Sequence, residues 1–175
     1  MMASALQKYA IPVTEKNFEQ VLSMSKEIRT YMPMLDGLDS SLHEVELYIF
    51  GDEEHPSGVA GLYRFDPHNR TVCINSGIID QTDKKRCHGA LLWMVYHAFY
   101  ELGMERVYIE IPHVDEEFSV IELWAHLGFV IEGTLRGHIL YHGERCDVVY
   151  LGAMKADYLY ILEDEFMLTQ HWQVL

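Results

Sequence analysis

Positive charge is scarce in this chain: 13 Lys and Arg stand against 27 Asp and Glu among 175 residues, a formal net charge of −14. That deficit argues against nucleic acid as a direct partner, because Lys and Arg are what hold a phosphate backbone. It favours cationic small molecules or basic protein segments through long-range attraction, and it equally serves to keep a protein soluble. Cysteine is scarce too. Cys73, Cys87 and Cys146 are odd in number and far apart, so neither a disulfide framework nor a CxxC zinc site is expected, and a reducing cytoplasm suits them. The ten histidines are scattered, which suggests surface and supporting roles and no metal centre. No apolar run is long enough to span a bilayer, and Met1 to Leu6 carries no basic region followed by a long apolar one, so neither a membrane nor a secretory route is expected. Low-complexity tracts and internal repeats are missing as well, which sets aside disorder and solenoids and leaves a single domain over 1–175.

Alternating and helical apolar patterns fill most of the rest. Lys8 to Val13 alternates weakly and is predicted as a strand. Thr14 is placed to cap a helix whose apolar face is Phe18, Val21, Leu22 and Ile28, ended by Pro33. Val45–Phe50, Val59–Phe65 and Thr71–Ile79 are strand runs joined by short turns, as in an antiparallel meander. The period then changes. Leu91, Leu92, Val95, Phe99 and Leu102 recur at helical spacing, and Gly103 stands at the C′ position. Arg106–Pro112 is a strand after that helix, the order a parallel crossover requires. A second helix, capped by Asp115, carries Phe118, Ile121, Leu123, Trp124 and Leu127 and stops at Gly128. Phe129–Leu140 and Cys146–Met154 then form a hairpin around His142-Gly143-Glu144. The fold class is α+β, a mixed and mostly antiparallel sheet flanked by helices. Residues 156–175 are acidic and aromatic and are read as an added helix, packed either on the sheet or on a second subunit to make a homodimer.

Within this acidic chain, Lys84-Lys85-Arg86-Cys87-His88-Gly89-Ala90 places three cations in a row between a strand and a helix. Read as a loop feeding a helix N-terminus, it is an anion receptor: unpaired first-turn N–H groups and the positive end of the helix dipole face the same ligand. The plainer alternative is a solvated turn.

Meander, basic run, helix, strand, helix and hairpin follow in an order that resembles the GCN5-related N-acetyltransferases from about Val45 to Tyr158. The segment Leu127-Gly128-Phe129-Val130-Ile131-Glu132-Gly133-Thr134-Leu135-Arg136 is similar to the "LGF..EG.LR" of many members, notably the ribosomal-protein N-terminal and spermidine acetyltransferases. Asp147 to Met154 resembles that branch's closing strand. Against the family's Q/R-x-x-G-x-G/A loop, Lys84 takes the first place, Gly89 the last, and Cys87 replaces a glycine.

The resemblance implies acetyl-CoA as cosubstrate, inserted where the strands Thr71–Ile79 and Arg106–Pro112 splay apart. Backbone near Gly77, Ile78 and Ile79 would meet the pantetheine arm, and amides within Lys84, Lys85, Arg86, Cys87, His88, Gly89 and Ala90 would meet the diphosphate. It also implies transfer to a primary amine of a protein N-terminus, a lysine or a small polycation. Glu110, and then His113, stand where members place the base that deprotonates the amine. Glu117, Val120 and Trp124 occupy places where members carry Asn, Ser or Ala, and Tyr. That Tyr often reprotonates the leaving thiolate, which indole cannot do. The proton would then come from water, Ser119 or Tyr150. The same departures motivate the other reading, an inactive protein of this fold that binds CoA or a basic partner. For Glu110 a salt bridge, and for Trp124 a place in the core, are the competing structural roles.

Overall fold

A computed structural model of the chain describes residues 10–17, 21, 45–51, 56–78, 84–113, 118–141, 143–158 and 160. Among these, seven strands form one sheet in the order β1-β2-β3-β4-β5-β7-β6. They are β1 (Ala10–Pro12), β2 (Glu46–Gly51), β3 (Pro56–Asp66), β4 (Thr71–Ile78), β5 (Arg106–Pro112), β6 (Val130–Tyr141) and β7 (Glu144–Met154). Two helices are described, α1 (Lys84–Tyr96), which continues as a π-helical turn over His97–Glu101, and α2 (Phe118–His126). The expected meander is present as antiparallel β2–β3–β4, and β4–β5 is the one parallel pair. No helix among the described residues is long and apolar enough to cross a membrane.

Strand alternation sorts the side chains onto two unlike faces. One face presents Phe50, Leu62, Val72, Ile74, Val107, Ile109, Ile111 and Leu151 to α1 and α2, where Leu91, Met94, Phe99 and Trp124 close the main core. On the other, Leu47, Ile49 and Val59 pack around Val21. Farther along that second face the aliphatic residues give way to Tyr63, Cys73, Tyr108, Glu110 and Tyr150, which the strand register brings side by side.

The helix ends show what holds each of them. The Thr14 cap is visible in its reciprocal half: the Thr14 N–H donates to Asn17 Oδ1 at 2.6 Å, while the helix body beyond Val21 lies outside the described residues. The run Lys84–Ala90 is not a loop but the first two turns of α1. Lys, Arg and Ala are good helix formers, and nothing in the run breaks a helix except Gly89 at modest cost. The helix also closes through a π turn, with the Leu102 N–H on the His97 carbonyl at 3.0 Å and the Met104 N–H on that of Ala98 at 2.9 Å. Gly103, at φ +72°, stands at the expected C′ place. Of the added C-terminal helix, residues 155–158 are helical and the fully buried Tyr158 donates to the Leu92 carbonyl at 3.0 Å. Tyr160 is helical as well, and the rest of it falls outside the described residues.

Candidate active site at a split in the sheet

β4 and β5 pair only over Thr71–Arg106, Val72–Val107 and Cys73–Tyr108. Beyond Cys73 they part, yet neither frays. β4 stays on β3 as far as Ile78 opposite Gly58, and β5 stays on β7 as far as Pro112 opposite Val148. The sheet therefore splits into a V whose lips are residues 74–78 and 109–112, each braced by its own antiparallel neighbour. Parallel strands that separate leave the inward N–H and C=O groups of both lips without a strand partner. Such a slot is complementary to an extended chain carrying amides. Asn75 lies buried on one lip, with its Oδ1 accepting the Ser76 N–H at 2.7 Å.

Only residues 79–83 separate the end of β4 from the start of α1, so the N-terminus of α1 must lie within about 20 Å of the open end of the V. Its unpaired first-turn N–H groups belong to Lys84, Lys85 and Arg86. Those of His88, Gly89 and Ala90, expected to cradle a diphosphate, are used inside the helix instead. Cys87, Gly89 and Ala90 are buried. Cys87, in the place of a family glycine, has no positive φ, so the missing glycine costs nothing there.

The chemistry-bearing groups meet on the second face, where the V begins to open. Glu110 stands two residues past Tyr108, the last β5 residue paired with β4, and its side chain is 14% exposed. Its Oε1 accepts from Arg64 Nη1 and from the Tyr150 hydroxyl. The rings of Tyr108 and Tyr150 lie parallel, with centroids 5.9 Å apart. Burial, then the hydrogen bond to Glu110 and its charge, raise Tyr150 well above the ordinary phenol range. Burial likewise raises Tyr63 and Tyr108 and pushes the Cys73 thiol up to about 12. All four are thus neutral near pH 7. Burial works against the charge of Arg64, but Glu110 more than compensates and raises it further.

Arg64 was not anticipated from the sequence. At β3–β4 the register shifts between Tyr63 and Asp66, so Arg64 and Phe65 together oppose Val72. This is a β-bulge, and Arg64 sits in it at φ +52°, a left-handed conformation costing a non-glycine residue about 1–2 kcal/mol. A signal for it exists in the chain. Ala60 and Leu62 point into the main core, so strict alternation would send Arg64 there too. The extra residue turns the cation out and returns Phe65 to the core.

The other predicted residues are scattered around this centre. His113 lies at the end of β5 with an exposed side chain; its N–H donates to the Asp147 carbonyl at 2.8 Å and its own carbonyl accepts from Cys146 Sγ at 3.5 Å. Gly77 is on a lip, opposite Val59. Ile79 and Glu117 fall outside the described residues. Trp124, at the place of a family Tyr near the cofactor, takes the core position that was its competing role: it is 0% exposed, edge-on to Phe129 at 4.9 Å, with its Nε1 lacking a hydrogen-bond partner among the described residues. An indole at this helical position fills the space between α2 and the sheet and offers no surface to the cleft. Among the described residues no cluster of His, Cys, Asp and Glu could hold a metal ion.

No protein-family model matches the chain, and no curated protein does. Solved structures do. The spermidine N-acetyltransferase from Vibrio cholerae in complex with CoA and spermine superposes with a TM-score of 0.71 at 15% identity, over 86% of this chain and 96% of that one. A chimera of the Vibrio cholerae enzyme with hSSAT gives 0.71 at 16% identity, over 86% and 98%. The fold is therefore that of the GCN5-related N-acetyltransferases, as the order of sequence elements suggested.

Proposed function

We propose that the protein is an acetyl-CoA-dependent N-acetyltransferase whose acceptor is a primary amine of a small polycation. The observation that carries this reading is the split between β4 and β5 with Glu110 at its opening. Support for the acceptor class comes from the spermine held by the Vibrio cholerae neighbour and from the net charge of −14, which attracts cations.

Acetyl-CoA would supply an acyl carbonyl already activated as a thioester. The residues present fit such a molecule. Unpaired backbone along the lips suits the amides of its pantetheine arm, and the first-turn N–H groups of Lys84, Lys85 and Arg86 suit its diphosphate. Glu110 then accepts a proton from the acceptor's ammonium, so that the neutral amine forms the new C–N bond as the C–S bond breaks, and the surplus proton on nitrogen passes to the departing thiolate through solvent. A thiolate whose solution pKa lies below about 10 leaves with little help from an acid. This matters because Trp124 offers no proton. Tyr150 orients Glu110 and keeps its own proton, since burial and the adjacent carboxylate both strengthen its hold. Glu110 is preferred to His113 as the base because side chains from two other strands, Arg64 of β3 and Tyr150 of β7, fix it.

The test is thiol release from acetyl-CoA in the presence of spermidine, spermine, lysine and a short peptide amine. Turnover fastest with the polyamines is expected. Turnover only with the peptide would reject the acceptor class. The enclosed Trp124 favours a second reading, binding of CoA or a basic partner without chemistry. Binding in calorimetry with no turnover on any amine would select it.

A further inference from the structure

We infer that Arg64 is a positioning residue for the acetyl transfer, its left-handed backbone aiming a guanidinium across β4 onto Glu110 and holding that carboxylate in place at the mouth of the V. The inference rests on the role of Glu110 in the proposed reaction. Three observations converge on it. Arg64 and Arg70 are the only non-glycine residues at positive φ among those described, and Arg70 belongs to the exposed turn between β3 and β4. Arg64 thus carries the one such strain inside a strand, and bulges beside active sites commonly re-aim a side chain. The bulge makes Arg64 reach from β3, past Cys73 on β4, to Glu110 on β5. Finally, the surroundings of Glu110 leave it no other charged partner among the described residues. Tyr63 comes from β3, Cys73 from β4, Tyr108 from β5 itself and Tyr150 from β7, and all are neutral near pH 7.

With no other charged partner, the carboxylate is held in place by the guanidinium and the Tyr150 hydroxyl, both on Oε1, and of the two only the guanidinium adds a charge-assisted bond. The guanidinium is 56% exposed, so water weakens but does not abolish the effect. Arg64 also tolerates the conformation poorly, whereas glycine adopts it without penalty. This allows a clean test. Arg64→Gly removes the guanidinium while relieving the backbone, and Arg64→Lys keeps a charge without the planar fork.

The experiment compares kcat and KM of the wild type, Arg64→Gly and Arg64→Lys with acetyl-CoA and the best amine of the panel, alongside their melting temperatures. In Arg64→Gly kcat should fall by about 10–10²-fold, the usual cost of a misplaced reacting group, with both KM values little changed and Tm unchanged or higher. Arg64→Lys should recover part of that loss. A kcat in Arg64→Gly equal to that of the wild type overturns the assignment, whatever the Tm. A second measurement separates this from failure of the proposed reaction. The Glu110 carboxylate is observed by 13C NMR in the free protein at one fixed pH, its resonance assigned with Glu110→Gln. If the wild type turns over no amine, the reaction is rejected, yet a displaced or broadened Glu110 resonance in Arg64→Gly still supports the positioning role. Coincident resonances overturn it.

Discussion

Two polar clusters sit on opposite faces of the same sheet, and their construction differs in an instructive way. On the helix-covered face His97 lies between two carboxylates, with Nε2 on Glu46 at 2.8 Å and Nδ1 on Glu101 at 2.5 Å, while its ring stacks on Trp93 at 4.9 Å. Both ring nitrogens meet carboxylate oxygens, which favours the doubly protonated imidazole, and the Tyr48 hydroxyl adds a further bond to Glu46 at 3.0 Å. On the other face Glu110 is held on one oxygen only, by Tyr150 and by an arginine whose backbone is strained. The first cluster is closed on itself and ties β2 to the end of α1. The second stands beside the split. Closure marks a clamp. A strained arrangement on one carboxylate oxygen beside a gap marks a working site.

The sharpest way to break this distinction is to neutralise each centre in turn. Glu110→Gln should lower kcat by about 10²–10⁴-fold, the usual worth of a positioned base, with little change in Tm and in CoA affinity. A fall of many degrees in Tm with turnover intact would make the Arg64–Glu110 pair a second clamp, and the contrast would disappear. Trp124 tests where the site ends. Trp124→Ala should cost about 3–5 kcal/mol in chemical denaturation, as for a large aromatic removed from a core. Trp124→Tyr should not raise turnover, because the position faces no cleft; a faster enzyme would mean that a phenol there does reach the thiolate.

These two residues also show how far the chain could be read unaided. β5 was placed correctly over Arg106–Pro112, and the alternation within it put Tyr108 and Glu110 on one face, because a half-buried strand writes its orientation into every second residue. The meander and the hairpin were legible for the same reason. Arg64 was not, because a bulge breaks that periodicity and its register appears only when the partner strand is seen. The basic run misled for the opposite reason. Charge suggested a loop, whereas helix propensity and the apolar Cys87 and Ala90 favoured a helix. His97, too, gave no local sign, since Glu46 is far away in the chain.

If the α1 N-terminus serves the working site, replacing both Lys84 and Arg86 by Ala should weaken CoA binding by about 1–3 kcal/mol, the worth of charge-assisted contacts to phosphate. Isothermal calorimetry at low salt measures this directly. An unchanged affinity would detach the basic turn from the split and leave the lips alone to hold the ligand.

The smallest effect is expected at the clamp, and its pH dependence is what identifies it. His97 is raised above its ordinary 6.5: burial opposes its charge, but the bonds to Glu46 and Glu101 prevail. Its stabilisation is therefore complete below about 6.5 and fades as pH rises through the folded value. Glu46 is lowered from its ordinary 4.5, first by the His97 bond, so its contribution is complete above that value and fades as pH falls. The clamp is strongest between the two. His97→Gln should cost about 1 kcal/mol there, because both carboxylates are more than a third exposed and water screens them. For a chain of this size that is a loss of about 2–4 °C in Tm, narrowing as pH rises past the ordinary imidazole range, with turnover unchanged. A Tm difference constant from pH 5 to pH 9 would mean that the imidazole acts by packing on Trp93 alone. A loss of turnover would couple the two faces and join what the structure separates.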